Sequence, residues 1–242
     1  MEKTLTPRRA AYGINALCAW IGFGLSVIIE TFGLVPQVQY DPPIPQSQFN
    51  WYGHYADGLA GAPARLADLI SYFTIWSQVV VGVVMTMLFL NPNRRGKWFQ
   101  VFRLDAVMMI MVTGIVYNLL LGPNFPPVGL NKYSSIFEHT ITPIVTVIVF
   151  LVWGPRGWFT VMNLLRALIL PIGYVFYTLF RGADLASYPY GFFDVVVEGY
   201  ASVIIFVLGI LFASLVVMVA LWALDAAIDK NRTVAQGPEI GS

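Results

Sequence analysis

The chain has 242 residues, of which 57% are hydrophobic and only 11% charged, with a net charge of +1. Soluble domains are about half apolar and about a quarter charged, so these few charges cannot cover a water-facing surface of this size. The charge balance implies no nucleic-acid partner, and the lone Cys18 excludes an internal disulfide or a cysteine metal cluster.

Apolar runs of about 20 residues predict an all-α polytopic membrane protein, a bundle of six transmembrane helices forming one domain over 1–230. The first run, 11–35, follows Arg8 and Arg9. It is too long for a signal-peptide core and has no small-x-small site before Pro36, so it is expected to stay as a helix. Asn15, Cys18, Gly22, Ser26 and Glu30 form one stripe along it, with Cys18 read as a small buried hydrophobe. Segment 36–67 is the longest connection. It carries Pro42, Pro43, Pro45, Trp51, Tyr52 and Tyr55, and is expected to cap one mouth of the bundle. Its His54 reads as an ordinary loop histidine.

The second run, 68–90, places Ser71, Thr74, Ser77 and Gln78 on one helical face. The third, 101–121, offers Gly114, Tyr117 and Asn118. The fourth, 135–153, carries His139, Thr142 and Thr146 at helical spacing beside Pro143. The fifth, 160–180, contains Arg166 and Pro171; both prolines are expected to kink their helices. The sixth, 200–225, opens behind Asp194 and Glu198 and begins with Tyr200 and Ser202. The polar tail 231–242 is expected to be disordered.

The connections alternate in charge. Lys3, Arg8, Arg9, Arg94, Arg95, Lys97, Arg103, Arg156, Lys230 and Arg232 fall on one side, against Arg65, Lys132 and Arg181 on the other. The positive-inside rule then predicts cytoplasmic termini, with 36–67, 122–134 and 181–199 outside. On that topology Thr74 lies ~9 Å and His139 ~6 Å below the outer face, at 1.5 Å per residue. Glu30, Asn118 and Glu198 reach a similar level.

An intramembrane histidine is a functional candidate by default, the plainer role being a hydrogen bond between helices. His139 would work as a general base, since imidazole titrates near neutrality. A threonine in a membrane helix ordinarily bonds back to the preceding turn. It becomes a nucleophile only where a base reaches its hydroxyl. Ser71 and Ser77 are rival nucleophiles on the same face. Two histidines leave no set for a zinc or bis-histidine haem site.

Three segments together resemble a known family. They are Ser71-Tyr72-Phe73-Thr74-Ile75-Trp76-Ser77, His139-Thr140-Ile141-Thr142-Pro143, and Tyr188-Pro189-Tyr190-Gly191-Phe192-Phe193-Asp194 with Gly199-Tyr200. In order and spacing they are similar to the androgen-induced membrane protein family, in a prokaryotic six-helix branch. Animal members are integral-membrane threonine hydrolases of fatty-acid esters of hydroxy fatty acids. The resemblance implies Thr74 as nucleophile and His139 as base, acting on a lipid ester at the outer leaflet without a metal or organic cofactor. Asn118, Ser77 or a backbone N–H would hold the oxyanion, and Glu30 or Glu198 would orient His139. The 36–67 loop departs from the animal proteins in being longer.

Two other classes stand beside this one. A small transporter or proton-coupled channel would use Glu30, His139 and Glu198 as a relay. A non-catalytic interaction protein would use its polar faces only for packing. The almost wholly apolar stretches 79–90 and 147–153 favour a pocket open on one side. Membrane lipid is the expected partner, and nothing in the sequence sets an oligomeric state.

Overall fold

The computed structural model describes residues 5–35, 55–56, 58–154 and 156–236, with side chains as far as Lys230. Among the described residues the chain is all-α, with no strands. Six helices are long and apolar enough to cross a membrane: Pro7–Phe32, Phe73–Leu90, Lys97–Leu121, Asn131–Trp153, Val161–Leu185 and Gly199–Lys230. The expected polytopic bundle is present. The cap expected over 36–67 falls mostly outside the described residues, as does His54. Its described part holds a 3₁₀ turn, Gly58–Gly61, and helix α2, Ala62–Ile70.

Helix α1 (Pro7–Phe32) starts where the Thr6 hydroxyl accepts the Arg9 N–H at 3.3 Å, with Pro7 in the first turn. It ends at Gly33, whose φ of 59° favours glycine. Its buried face carries Tyr12, Asn15, Ala16, Ala19, Gly22 and Ser26. Small residues at helical spacing let a neighbouring backbone come close, which is how helices associate where lipid removes the hydrophobic drive. The neighbour is α3 (Phe73–Leu90), and a Cβ on its Gly82 would lie 2.7 Å from the Trp20 ring. Cys18 flanks this face and is only half-buried, contrary to expectation, because the contact runs through Ala19 and Gly22.

Helices α4 (Lys97–Val116) and α6 (Thr142–Trp153) complete the inner bundle with α1 and α3, through Val81, Met85, Ile110 and Val149. Helix α5 (Asn131–Ile136) precedes α6 in the same span. In the fifth span α7 (Val161–Ala167) and α8 (Ile169–Leu185) break at Leu168. Pro171 has no N–H for the carbonyl of Ala167, which accounts for that break. The last helix, α9 (Gly199–Gln236), is the most lipid-facing: 17% of its apolar window is buried, against 56% for Lys97–Leu121. Helix continues through Gln236, so residues 231–236 are not the disordered tail expected. Ala226, Ala227 and Lys230 are strong helix formers that carry α9 past the apolar run.

The second span also differs from expectation. No continuous helix runs from 68. The chain leaves α2 at Ser71, whose hydroxyl bonds the Asp68 carbonyl at 2.6 Å, and passes through an extended Tyr72 (φ −81°, ψ 133°). Helix α3 then starts afresh. Tyr174 of α8 donates to the Ser71 carbonyl at 2.9 Å, and Arg181 pairs with Asp68, so the break is tied to the fifth span.

Candidate active site

The break at Tyr72 makes Thr74 the second residue of α3, at the end of a helix and not partway along one. Its Oγ1 lies 3.3 Å from His139 Nε2. The ring's other nitrogen, Nδ1, lies 3.2 Å from the Ser135 carbonyl and 3.1 Å from Ser135 Oγ. A carbonyl only accepts, so Nδ1 carries the proton and Nε2 turns its lone pair to Thr74. Ser135 Oγ passes its own proton to the Tyr117 hydroxyl at 2.9 Å. The Tyr117 ring lies flat on the imidazole, with centroids 3.5 Å apart and planes 12° from parallel.

Two irregular turns build this cluster. The third span ends in a π-turn, Tyr117–Leu121, and the fourth contains another, Phe137–Ile141, between α5 and α6. Single π-turns inside helices recur at functional sites because the extra residue re-aims side chains. Pro143 explains part of the second. It has no N–H for the carbonyl four residues back, which is that of His139. Asn118 Nδ2 donates to that carbonyl at 2.9 Å and to the Gly114 carbonyl at 2.8 Å. Gly114 permits the approach, since a Cβ there would lie 3.1 Å from Pro143 and 3.3 Å from the His139 carbonyl oxygen.

Tyr190 closes the other side of Thr74. It stands in the segment between α8 and α9, just before a 3₁₀ turn, Gly191–Phe193. The Phe73 N–H, one of the free donors at the start of α3, reaches its hydroxyl at 3.1 Å. Burial pushes the Tyr190 phenol up to about 12, opposed by hydrogen bonds with the Thr74 side chain and with the Thr74 and Phe73 N–H groups. The segment is pinned by Tyr188, which packs so close to Gly182 that a Cβ there would lie 2.0 Å from its ring. Asp194 receives the Val196 and Val197 N–H groups at 2.9 and 3.3 Å. Its role is to turn the chain towards α9.

The other candidate residues fall elsewhere. Ser77 is buried and bonds the Phe73 carbonyl and Thr113 Oγ1, both at 2.8 Å. Ser71 is spent on the α2 terminus. Asn118 gives its amide to two carbonyls, which removes it as an oxyanion donor. Neither Glu30 nor Glu198 bonds the imidazole. The Glu30 carbonyl takes the Arg65 Nε–H at 2.6 Å, while Glu198 is exposed. Glu138, next to His139 in sequence, points the other way and accepts from Ser26 at 2.7 Å. The group beside the imidazole is Ser135, which is not among the candidates the sequence suggests. Its signal was there: a serine four residues before a helical histidine lies directly beneath it.

Thr74, Tyr117 and Tyr190 border an apolar cavity of about 60 Å³ closed by Pro171, Val207 and Leu211. Comparison with known proteins found no matching family model, no matching curated protein and no matching solved structure.

Proposed function

We propose that the chain is an integral-membrane hydrolase of lipid esters, with Thr74 as nucleophile and His139 as general base. The observation that carries this reading is the 3.3 Å contact between Thr74 Oγ1 and an imidazole nitrogen whose opposite N–H is held by Ser135. Catalytic pairs work at about 2.6–3.2 Å and are commonly looser without substrate. His139 takes the threonine proton as Oγ1 attacks the ester carbonyl, then gives it to the departing alkoxide. Water deprotonated by the same nitrogen releases the acid and restores Thr74. The carbonyl oxygen, negative in the tetrahedral intermediate, meets the Tyr190 hydroxyl at the positive end of α3. The acyl chain enters sideways past α9, whose Val207 and Leu211 face the cavity. The resemblance to the androgen-induced membrane proteins supports the same assignment and suggests fatty-acid esters of hydroxy fatty acids as the substrate class. Positive-inside charge supports a site at the outer leaflet of the cell membrane, with both termini cytoplasmic.

A lipophilic fluorophosphonate tests the nucleophile directly. Wild type is expected to be labelled, and Thr74→Ala and His139→Ala to lose the label. Undiminished labelling of Thr74→Ala would sink the assignment.

One observation favours a second reading, a proton-coupled transporter. Asn15, Gln78, Asp105 and Thr142 are buried on the inner faces of α1, α3, α4 and α6, and each has a side-chain atom with no protein partner. Such atoms cost about 1–3 kcal/mol each unless water meets them. Proton flux through protein-containing vesicles, abolished by Asp105→Asn, would support transport.

A further inference from the structure

The opposite end of the bundle, where α1 begins and α3 and α6 end, holds a second cavity of about 620 Å³. Arg8, Arg94, Arg95, Arg103 and Arg156 line it together with Trp158, and no carboxylate does so among the described residues. Arg94 and Arg95 are exposed at its rim. Arg156 is neutralised by Asp225 at 2.8 Å. The decisive residue is Arg103. It is 1% exposed, yet its Nε and Nη1 have no protein partner. Its remaining nitrogen makes one long contact, 3.4 Å to the Tyr12 hydroxyl. Arg8 Nε donates to the same oxygen at 3.1 Å. Two guanidinium groups thus converge on one phenol, which sends its own proton to the Trp153 carbonyl at 2.9 Å.

Stacking does not compensate. Arg103 lies 5.2 Å from the Tyr12 ring and 5.8 Å from the Trp158 ring, which helps a cation but leaves its N–H groups unmet. A buried charge ordinarily has a counter-charge, because desolvation costs several kcal/mol per ion. The positive-inside rule accounts for exposed arginines such as Arg94 and Arg95. It gives no reason for burying Arg103 against Arg8.

We infer that this cavity binds a phosphoanion, with Arg103 and Arg8 as the inner pair and Arg94 and Arg95 closing over it. Guanidinium forks match phosphate oxygens two at a time, and four of the five arginines have no carboxylate salt bridge among the described residues. The source is either the headgroup of an anionic lipid in the adjoining leaflet or a free phosphate. Aromatic and apolar groups at the cavity wall, Trp158 among them, suit the headgroup equally well.

The test uses the full-length purified protein and reads thermal stability and lipid retention. Wild type is placed in phosphatidylcholine nanodiscs with and without phosphatidic acid as a minor component. Inorganic phosphate is titrated separately into detergent-solubilised protein. A rise in Tm with phosphatidic acid, and its retention in native mass spectra, supports a lipid headgroup. A rise with inorganic phosphate alone supports a free anion. Arg103→Met gives the sharper readout. In neutral lipid it should match or exceed wild type, because it removes a buried charge. With the anion present it should fall below wild type and bind about tenfold more weakly. Arg95→Gln, at the exposed rim, weakens binding without risk to folding. No shift in wild type with either probe overturns the proposal, as does an Arg103→Met variant that keeps the full anion response.

Discussion

The two ends of the bundle treat charged and polar groups differently. Around His139, the ring bonds its serine, the His139 carbonyl its asparagine and Glu138 its serine, and an unmet buried atom nearby, Thr142 Oγ1, belongs to a neutral group. Around Arg103, two guanidinium groups share one phenol oxygen and two further nitrogens have no protein partner. Helix regularity differs in parallel. The Thr74 end contains two π-turns and the break at Tyr72, while the arginine end has ordinary termini for α1, α3 and α6 and the single break at Leu168 in the fifth span. Irregular backbone is costly in lipid unless side chains repair it. Its concentration at one end marks where the chain spends its hydrogen-bonding capacity on aiming side chains.

If that contrast has functional meaning, removing the base should have the largest effect. His139→Ala is expected to slow ester cleavage or fluorophosphonate labelling by about 10²–10⁴-fold, the usual contribution of a positioned general base. Thermal stability should change far less than reactivity. A variant that loses both together would make His139 a packing residue, and the two ends would no longer differ in kind. Tyr190→Phe comes next, at about 10² in kcat with little change in KM, since an oxyanion donor acts on the charge that develops during reaction. Equal loss in kcat and gain in KM would instead make Tyr190 a wall of the acyl cavity.

Much of the bundle was legible in the sequence because lipid imposes one rule on every span: about 20 apolar residues with polar ones turned inward. The pairing of Thr74 with His139 was legible for the same reason. Helical phase gave the faces. The break at Tyr72 was not legible, because nothing in Ser71-Tyr72-Phe73 breaks a helix by propensity. It depends on Tyr174, Arg181 and Asp68, which come together only in three dimensions. The orienting group was misassigned for a related reason. A carboxylate is the more familiar partner for an imidazole N–H, whereas here the serine at i−4 supplies both its carbonyl and its hydroxyl. The burial of Arg103 was hidden by the positive-inside pattern, which treats every arginine near a span end alike.

Asn118 sharpens the comparison through stability. Replacing it by alanine leaves the carbonyls of Gly114 and His139 without the donor they now share, at a cost of about 1–3 kcal/mol. The loss should show as a lowered Tm, with reactivity reduced in step as the π-turn relaxes and Nε2 swings from Thr74. Replacing Pro143 by alanine in the same background restores an N–H four residues after His139. If the π-turn is held by the pair, this second change should recover part of the lost stability while leaving reactivity low.

The smallest effect is expected at Ser135. Alanine there removes the hydroxyl that receives Nδ1–H at 3.1 Å and passes a proton to Tyr117. It does not remove the backbone carbonyl 3.2 Å from the same nitrogen. That carbonyl alone still fixes the proton on Nδ1 and the lone pair on Nε2. A hydrogen bond of ordinary worth, about 1 kcal/mol, corresponds to less than tenfold in rate. The measurement is the rate of fluorophosphonate labelling of Ser135→Ala against wild type across the neutral pH range. A loss as large as that of His139→Ala would mean that the hydroxyl sets the tautomer, and that Tyr117 and Ser135 form a longer proton chain behind the base.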